Sequence, residues 1–150
     1  MIFSIRKATQ QDLDLTYQIK ENALFDYLEL LWGWNDNAQY EFHQEHFNPN
    51  HFQIILTSHE TIGYLETQTT ADFLFLSNLM ILKKFQGKGI GKIILGALMK
   101  THPKIELEVL KVNIRAKCFY ANLGFEVFEE KEDVFRMKNY CLKSGVNELK

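Results

Sequence analysis

Cysteine is scarce in this 150-residue sequence: Cys118 and Cys141 are the only two, and their spacing suits no metal site. Two free thiols in a reducing compartment are the expectation. No apolar run is long enough to span a membrane, and the opening MIFSIRKATQQ reaches a basic pair after a few apolar residues, which argues against a signal peptide. A soluble, cytoplasmic protein without membrane association is expected. Linkers, repeats and low-complexity segments are missing as well. Positive charge is absent over a long stretch: from Glu21 to Leu82 there is no Lys or Arg, while Glu21, Asp26, Glu29, Asp36, Glu41, Glu45, Glu60, Glu66 and Asp72 contribute nine acids. From Lys83 to Lys117 the sign reverses, with nine bases against Glu106 and Glu108. A net charge of −2 and the lack of a basic aromatic face disfavour nucleic acid as a partner.

What is present is enough for one core. A composition of 46% hydrophobic and 13% aromatic residues excludes disorder, and the length suits a single domain, here 1–142 with a polar tail over 143–150. The pattern predicts strands at 2–7, 51–57, 61–69, 73–82, 105–110, 125–132 and 134–142. Thr9 followed by Asp12 marks a helix start, and that helix is expected to run to about Leu24. Gly33 and the Asn-Asp-Asn of 35–37 divide 25–49 into two further helices. Helices after Gly89 and from Asn113 to Leu123 bring the total to five.

One stretch organises the rest. Phe85-Gln86-Gly87-Lys88-Gly89-Ile90-Gly91-Lys92 follows a buried strand and opens an amphipathic helix. Glycines at alternate positions leave amides bare, and the helix that follows adds the positive end of its dipole, so a phosphate would sit here. The letters fit neither a Walker loop, which needs Ser or Thr after the lysine, nor a dinucleotide fingerprint. Gln86-x-x-Gly89-x-Gly91 does resemble motif A of the GNAT superfamily of N-acetyltransferases. Downstream, Leu107-Glu108-Val109, Asn113, Phe119-Tyr120 and Leu123-Gly124-Phe125 resemble that family's motif B.

The resemblance implies an α/β (α+β) GNAT fold with a mixed central sheet of about seven strands flanked by helices, and acetyl-CoA (coenzyme A) as cofactor. Backbone groups of Leu79, Met80 and Ile81 would then pair with the pantetheine arm, Gln86 and the amides of Gly87, Lys88, Gly89, Ile90, Gly91 and Lys92 would hold the pyrophosphate, and Asn113 would reach the cofactor from the other side. Many members carry proline where this sequence has Lys83, which leaves the turn before Phe85 unspecified.

Acyl transfer asks for a deprotonated amine, a stabilised oxyanion and a protonated leaving thiolate. Tyr120 matches the family's general acid, against the alternative of a core aromatic beside Phe119. Glu108 is the candidate base, with Glu66 and water as rivals. Trp32, Trp34, Tyr27 and Tyr40, interleaved with acids, are either packing or an acceptor-side cage for a cation. His43, Glu45, His46 and His51 lie close together, but HQEH is not HExxH and no metal site is expected. Two readings stand: an N-acetyltransferase acting on a small cationic amine or a peptide amine, and a non-catalytic acyl-CoA-binding module. A homodimer is compatible with either.

Overall fold

The computed structural model describes residues 2–141. Its elements in chain order are β1 (Ser4–Lys7), α1 (Leu13–Trp32), α2 (Asp36–His46), β2 (Phe52–Leu56), β3 (Thr61–Thr69), β4 (Leu74–Ile81), α3 (Ile90–Thr101), β5 (Ile105–Leu110), α4 (Ile114–Asn122), β6 (Glu126–Glu130) and β7 (Val134–Lys138). The seven strands form one mixed sheet in the order β1-β2-β3-β4-β5-β7-β6. All neighbouring pairs are antiparallel except β4 and β5. A parallel pair needs a crossover, and α3 supplies it.

Alternation along the strands divides the core between the two faces of the sheet. On one face Leu65, Leu74, Leu76, Leu107 and Val109 pack with Ile94 and Leu95 of α3 and Tyr120 of α4. On the other, Phe52, Ile54, Tyr64 and Met80 pack with Ile19 and Ala23 of α1. Among the described residues no helix is long and apolar enough to cross a membrane.

The Thr9 and Asp12 start is present as a reciprocal cap: the Thr9 side chain accepts from a backbone amide and Asp12 accepts from the Thr9 amide at 2.8 Å. Asp12 also takes a two-pronged hydrogen bond from Arg6, 2.9 Å on each prong. The expected end near Leu24 is a correction. The helix continues to Trp32 and stops at Gly33, whose φ is +76°, so among the described residues four α-helices replace the five expected. Nothing at residues 24–25 can break a helix, whereas a glycine with positive φ can end one. The last strand ends at Lys138, and Leu142 and the tail over 143–150 lie outside the described residues.

Candidate active site

The pairing of β4 with β5 covers Leu74 with Ile105, Phe75 with Glu106 and Leu76 with Leu107, then ceases. From Ser77 onward the β4 edge toward β5 is open, so the backbone of Leu79–Ile81 faces a cleft instead of a strand. That cleft is a cavity of about 420 Å³. Leu79, Met80 and Ile81 line one side, Asn113, Arg115, Phe119 and Tyr120 another, and Gln86, Gly87, Gly89, Ile90, Gly91 and Lys92 its mouth. The cofactor-site residues expected from sequence line this cavity, except that Lys88 is exposed and off the wall; of the expected catalytic residues only Tyr120 lines it, and of the acceptor-side aromatics only Tyr27.

At the mouth, Gly87 and Gly89 have φ of +76° and +84°, and Gly89 caps α3 with no side chain to occupy the first-turn amides. Such bare amides at a helix start form a cradle for an anion. Gly91 serves packing: a β-carbon there would come within 3.2 Å of the Phe119 ring. The Gln86 side chain donates to the Ile81 carbonyl at 2.9 Å and ties the loop to the end of β4. At Lys83 the backbone amide, which proline would lack, donates to Asn22 Oδ1 of α1 at 2.9 Å. This bond and the Lys83–Asp26 ion pair at 2.8 Å moor α1 beside the loop.

Asn113 is the N-cap of α4, its Oδ1 accepting from the Ala116 amide at 3.0 Å. The cap fixes the amide and leaves Nδ2 as the free donor. Tyr120, two residues before the end of α4, packs against Phe119 and Phe125 at ring separations of 5.1 and 5.8 Å. Burial pushes its phenol well above the ordinary range, so the hydroxyl keeps its proton at neutral pH.

A second cavity of about 110 Å³ adjoins the first and shares Leu79, Met80, Asn113 and Tyr120 with it. Its other walls include Ser77, Asn78 and Glu108. Glu108, on β5, is about a third exposed and sits 3.0 Å from Lys131 Nζ. Glu66 lines neither cavity. It lies behind Asn78, whose Nδ2 donates to Glu66 Oε1 at 2.7 Å. Burial raises the Glu66 pKa, while the Asn78 bond and the charges of His51, Lys20 and His46 oppose the rise.

Neither Trp32 nor Trp34 is brought to the cavities. Trp34 packs with Phe25 and Tyr17 at ring separations of 5.4 and 6.4 Å, and Trp32, 60% exposed, reaches Asp133 on the β6–β7 turn at 3.3 Å. The nine acids between Glu21 and Leu82 are absent from the cavity walls too, and several are engaged elsewhere: Glu60 with Lys84, Asp36 with Tyr17, Glu29 with the Trp34 amide. His43 and His46 diverge, one bonded to Thr16 and the other to the Phe42 carbonyl, both at 2.8 Å.

Sequence reasoning missed Arg115, which lies two residues after Asn113, and Ala23 and Leu24 of the α1 wall; Tyr27, expected as packing or an acceptor-side aromatic, completes that wall. Arg115 carried a signal, a cation in the first turn of the helix that Asn113 caps. The α1 wall depends on how that helix crosses the sheet, which no local pattern encodes.

Comparison with known proteins agrees with this fold. A family model described as an acetyltransferase (GNAT) domain matches residues 48–127. A [ribosomal protein bS18]-alanine N-acetyltransferase of Haemophilus influenzae is 27% identical over 85 residues, 54% of this chain and 58% of that protein's length. Among solved structures, a PaiA N-acetyltransferase from Thermoplasma acidophilum in complex with coenzyme A superposes with a TM-score of 0.74 at 19% identity, over 92% of this chain and 98% of that one. The ribosomal-protein-S18-alanine N-acetyltransferase of Escherichia coli gives 0.69 at 20% identity, over 97% and 98%. At these identities the structural likeness speaks to the fold.

Proposed function

The chain belongs to the GNAT acetyltransferases, and from that premise we propose that it moves an acetyl group from acetyl-CoA to a primary amine by direct attack within a ternary complex. The observation that carries this reading is the open edge of β4 beyond Leu76, which faces the cavity bounded by the glycine loop and Tyr120. An extended pantetheine arm can pair with backbone as a strand would, and the loop amides suit a pyrophosphate.

The thioester supplies an activated acyl carbon. Glu108, from the smaller cavity, takes one proton from the ammonium of the acceptor, directly or through a water. The freed lone pair forms the C–N bond, and the C–S bond breaks with its electron pair left on sulfur. Tyr120, protonated through its burial, gives its phenol proton to that sulfur and receives the second proton shed by the nitrogen. The acceptor is a peptide α-amine or a small cationic amine. Similarity to proteins named for acetylating an alanine supports the peptide, as does a second cavity of about 110 Å³, which suits a short side chain.

The test is thiol release from acetyl-CoA with alanyl peptides and polyamines as acceptors. Release dependent on an acceptor is expected. Coenzyme A binding with no release across the panel would replace the enzyme with a binding module.

A further inference from the structure

The β3–β4 register slips by one residue beside the fork: Glu66 opposes Asn78 and Thr67 opposes Leu76, so Ser77 opposes nothing. Pairing on the other edge of β4 has also just ended at Leu76. Ser77 therefore stands where both neighbouring strands have let go. Its Oγ is buried and has no hydrogen-bond partner among the described residues. A buried hydroxyl left in that condition is unfavourable, and the cost is recovered when a ligand supplies the missing partner.

Asn78 adds a second polar atom on the same wall. A carboxylate only accepts, so the Asn78 amide must turn its Nδ2 toward Glu66, where the bond is 2.7 Å long. The planar amide then offers Oδ1 on the opposite side, and Asn78 and Ser77 both line the small cavity with Glu108 and Tyr120. Glu66 itself is set among Lys20 of α1, His46 of α2 and His51, and its carboxylate is not on the cavity wall.

We propose that Ser77 Oγ and Asn78 Oδ1 are the seat of the acceptor's primary amine, and that Glu66 is the positioning residue that orients Asn78 and not the base. The proposal rests on the acetyl-transfer reading above and names where its nitrogen sits. Of the ammonium's three N–H groups, two are held by Ser77 and Asn78, and the third, turned toward the thioester, loses its proton to Glu108 through a water. The lone pair left there points at the acyl carbon, so the strand irregularity aims the nucleophile, and after the C–N bond forms one of the two remaining protons passes to the Tyr120 phenolate through the Ser77 hydroxyl or a water.

The probe is a bisubstrate conjugate in which a two-carbon ethylene arm joins the coenzyme A sulfur to the α-nitrogen of alanyl-glycyl-glycine amide as a secondary ammonium, which keeps two N–H groups, compared with coenzyme A alone by calorimetric titration. Wild type is expected to bind the conjugate more tightly than coenzyme A. Ser77→Ala and Asn78→Leu should each weaken the conjugate by about fivefold, the loss of one net hydrogen bond, with coenzyme A affinity unchanged. Ser77→Thr, which keeps the hydroxyl, should restore the difference. Glu66→Gln should raise the KM for the alanyl peptide and leave the acidic limb of the kcat profile in place. Conjugate affinity indifferent to both substitutions, or no tighter than coenzyme A in wild type, overturns the seat. Loss of the acidic limb in Glu66→Gln overturns the positioning role. Failure of wild type to bind coenzyme A at all would instead bring down the function on which the seat depends.

Discussion

The terminal nitrogen of Arg115 lies 3.1 Å from where a β-carbon on Gly87 would stand, so the first turn of α4 holds a guanidinium against the loop that opens α3. The start of α3 and the Arg115 guanidinium thus converge at the mouth of the cavity, beside Lys92. Arg115→Ala should weaken coenzyme A binding by about tenfold at low salt, in line with loss of a charge-assisted hydrogen bond. The deficit should shrink as ionic strength rises, because the partner charge is near solvent. Calorimetric titration at two salt concentrations measures both.

At Gly89 the protein leaves a β-carbon room, with no atom of another residue within 4 Å, but φ is +84°. A β-branched residue there is strained by about 1–2 kcal/mol and projects into the anion cradle. Gly89→Val is therefore expected to abolish coenzyme A binding while the far-ultraviolet circular dichroism stays folded and thermal stability drops modestly. Gly96, inside α3 with open space around it, is the control. Gly96→Ala should leave binding intact and raise stability by about 0.5–1 kcal/mol.

Tyr120→Phe removes the proton and keeps the ring that packs on Phe119 and Phe125. A fall in kcat of about 10²-fold with little change in coenzyme A affinity is expected for loss of a general acid. Glu108→Gln should remove the acidic limb of the pH–rate profile. Stopped-time assays of thiol release across pH distinguish the two variants.

Legibility divides along the same lines as locality. The strand, glycine loop and helix from Leu74 to Thr101 are written in periodicity and in the letters of a short loop, and Asn113, Tyr120 and Phe125 recur at spacings one helix fixes. Asn113 and Tyr120 line the cavity with the glycine loop, and Phe125 lies in the core beside them. The length of α1 is not legible locally: the sequence turns aromatic and acidic from Phe25, yet only Gly33 has the conformation that ends the helix. Ala23, Leu24 and Tyr27 reach the cavity through a helix crossing. Ser77 matters through a register slip, and a slip belongs to two strands at once.

Trp34 shows how a suggestive cluster can be structural. Its ring lies against Phe25 and Tyr17, and Tyr17 in turn meets Tyr40 edge to face at 5.1 Å. Aromatic contacts of this kind contribute about 0.5–1.5 kcal/mol each. Trp34→Ala should lower stability by about 1–2 kcal/mol in chemical denaturation and leave the acceptor KM and its salt dependence unchanged. A raised KM for cationic acceptors alone would return Trp34 to the acceptor side.

His43 gives the fold a pH dependence. It is buried between α1 and the aromatic rings of Phe47 and Phe52, with Nε2 2.8 Å from Thr16 Oγ. The Thr16 hydroxyl already faces the carbonyls of Asp12 and Leu13 at 2.9 and 3.0 Å, so its proton goes there and His43 must be the donor, protonated on Nε2. Burial first, and the charge of Lys20 second, lower its pKa from 6.5 to about 4. The folded state therefore prefers neutral imidazole. Above pH 6.5 both states are neutral there and the full stabilisation is present; as pH falls toward 4 the unfolded chain takes up a proton that the folded one resists, and stability declines. The slope can reach about one proton, roughly tenfold in the unfolding equilibrium per pH unit. His43→Gln keeps a donor for Thr16 and removes the titration. Denaturation midpoints measured from pH 7 to pH 4 should fall less steeply in the variant than in wild type, and parallel curves would mean that His43 is protonated in the folded protein.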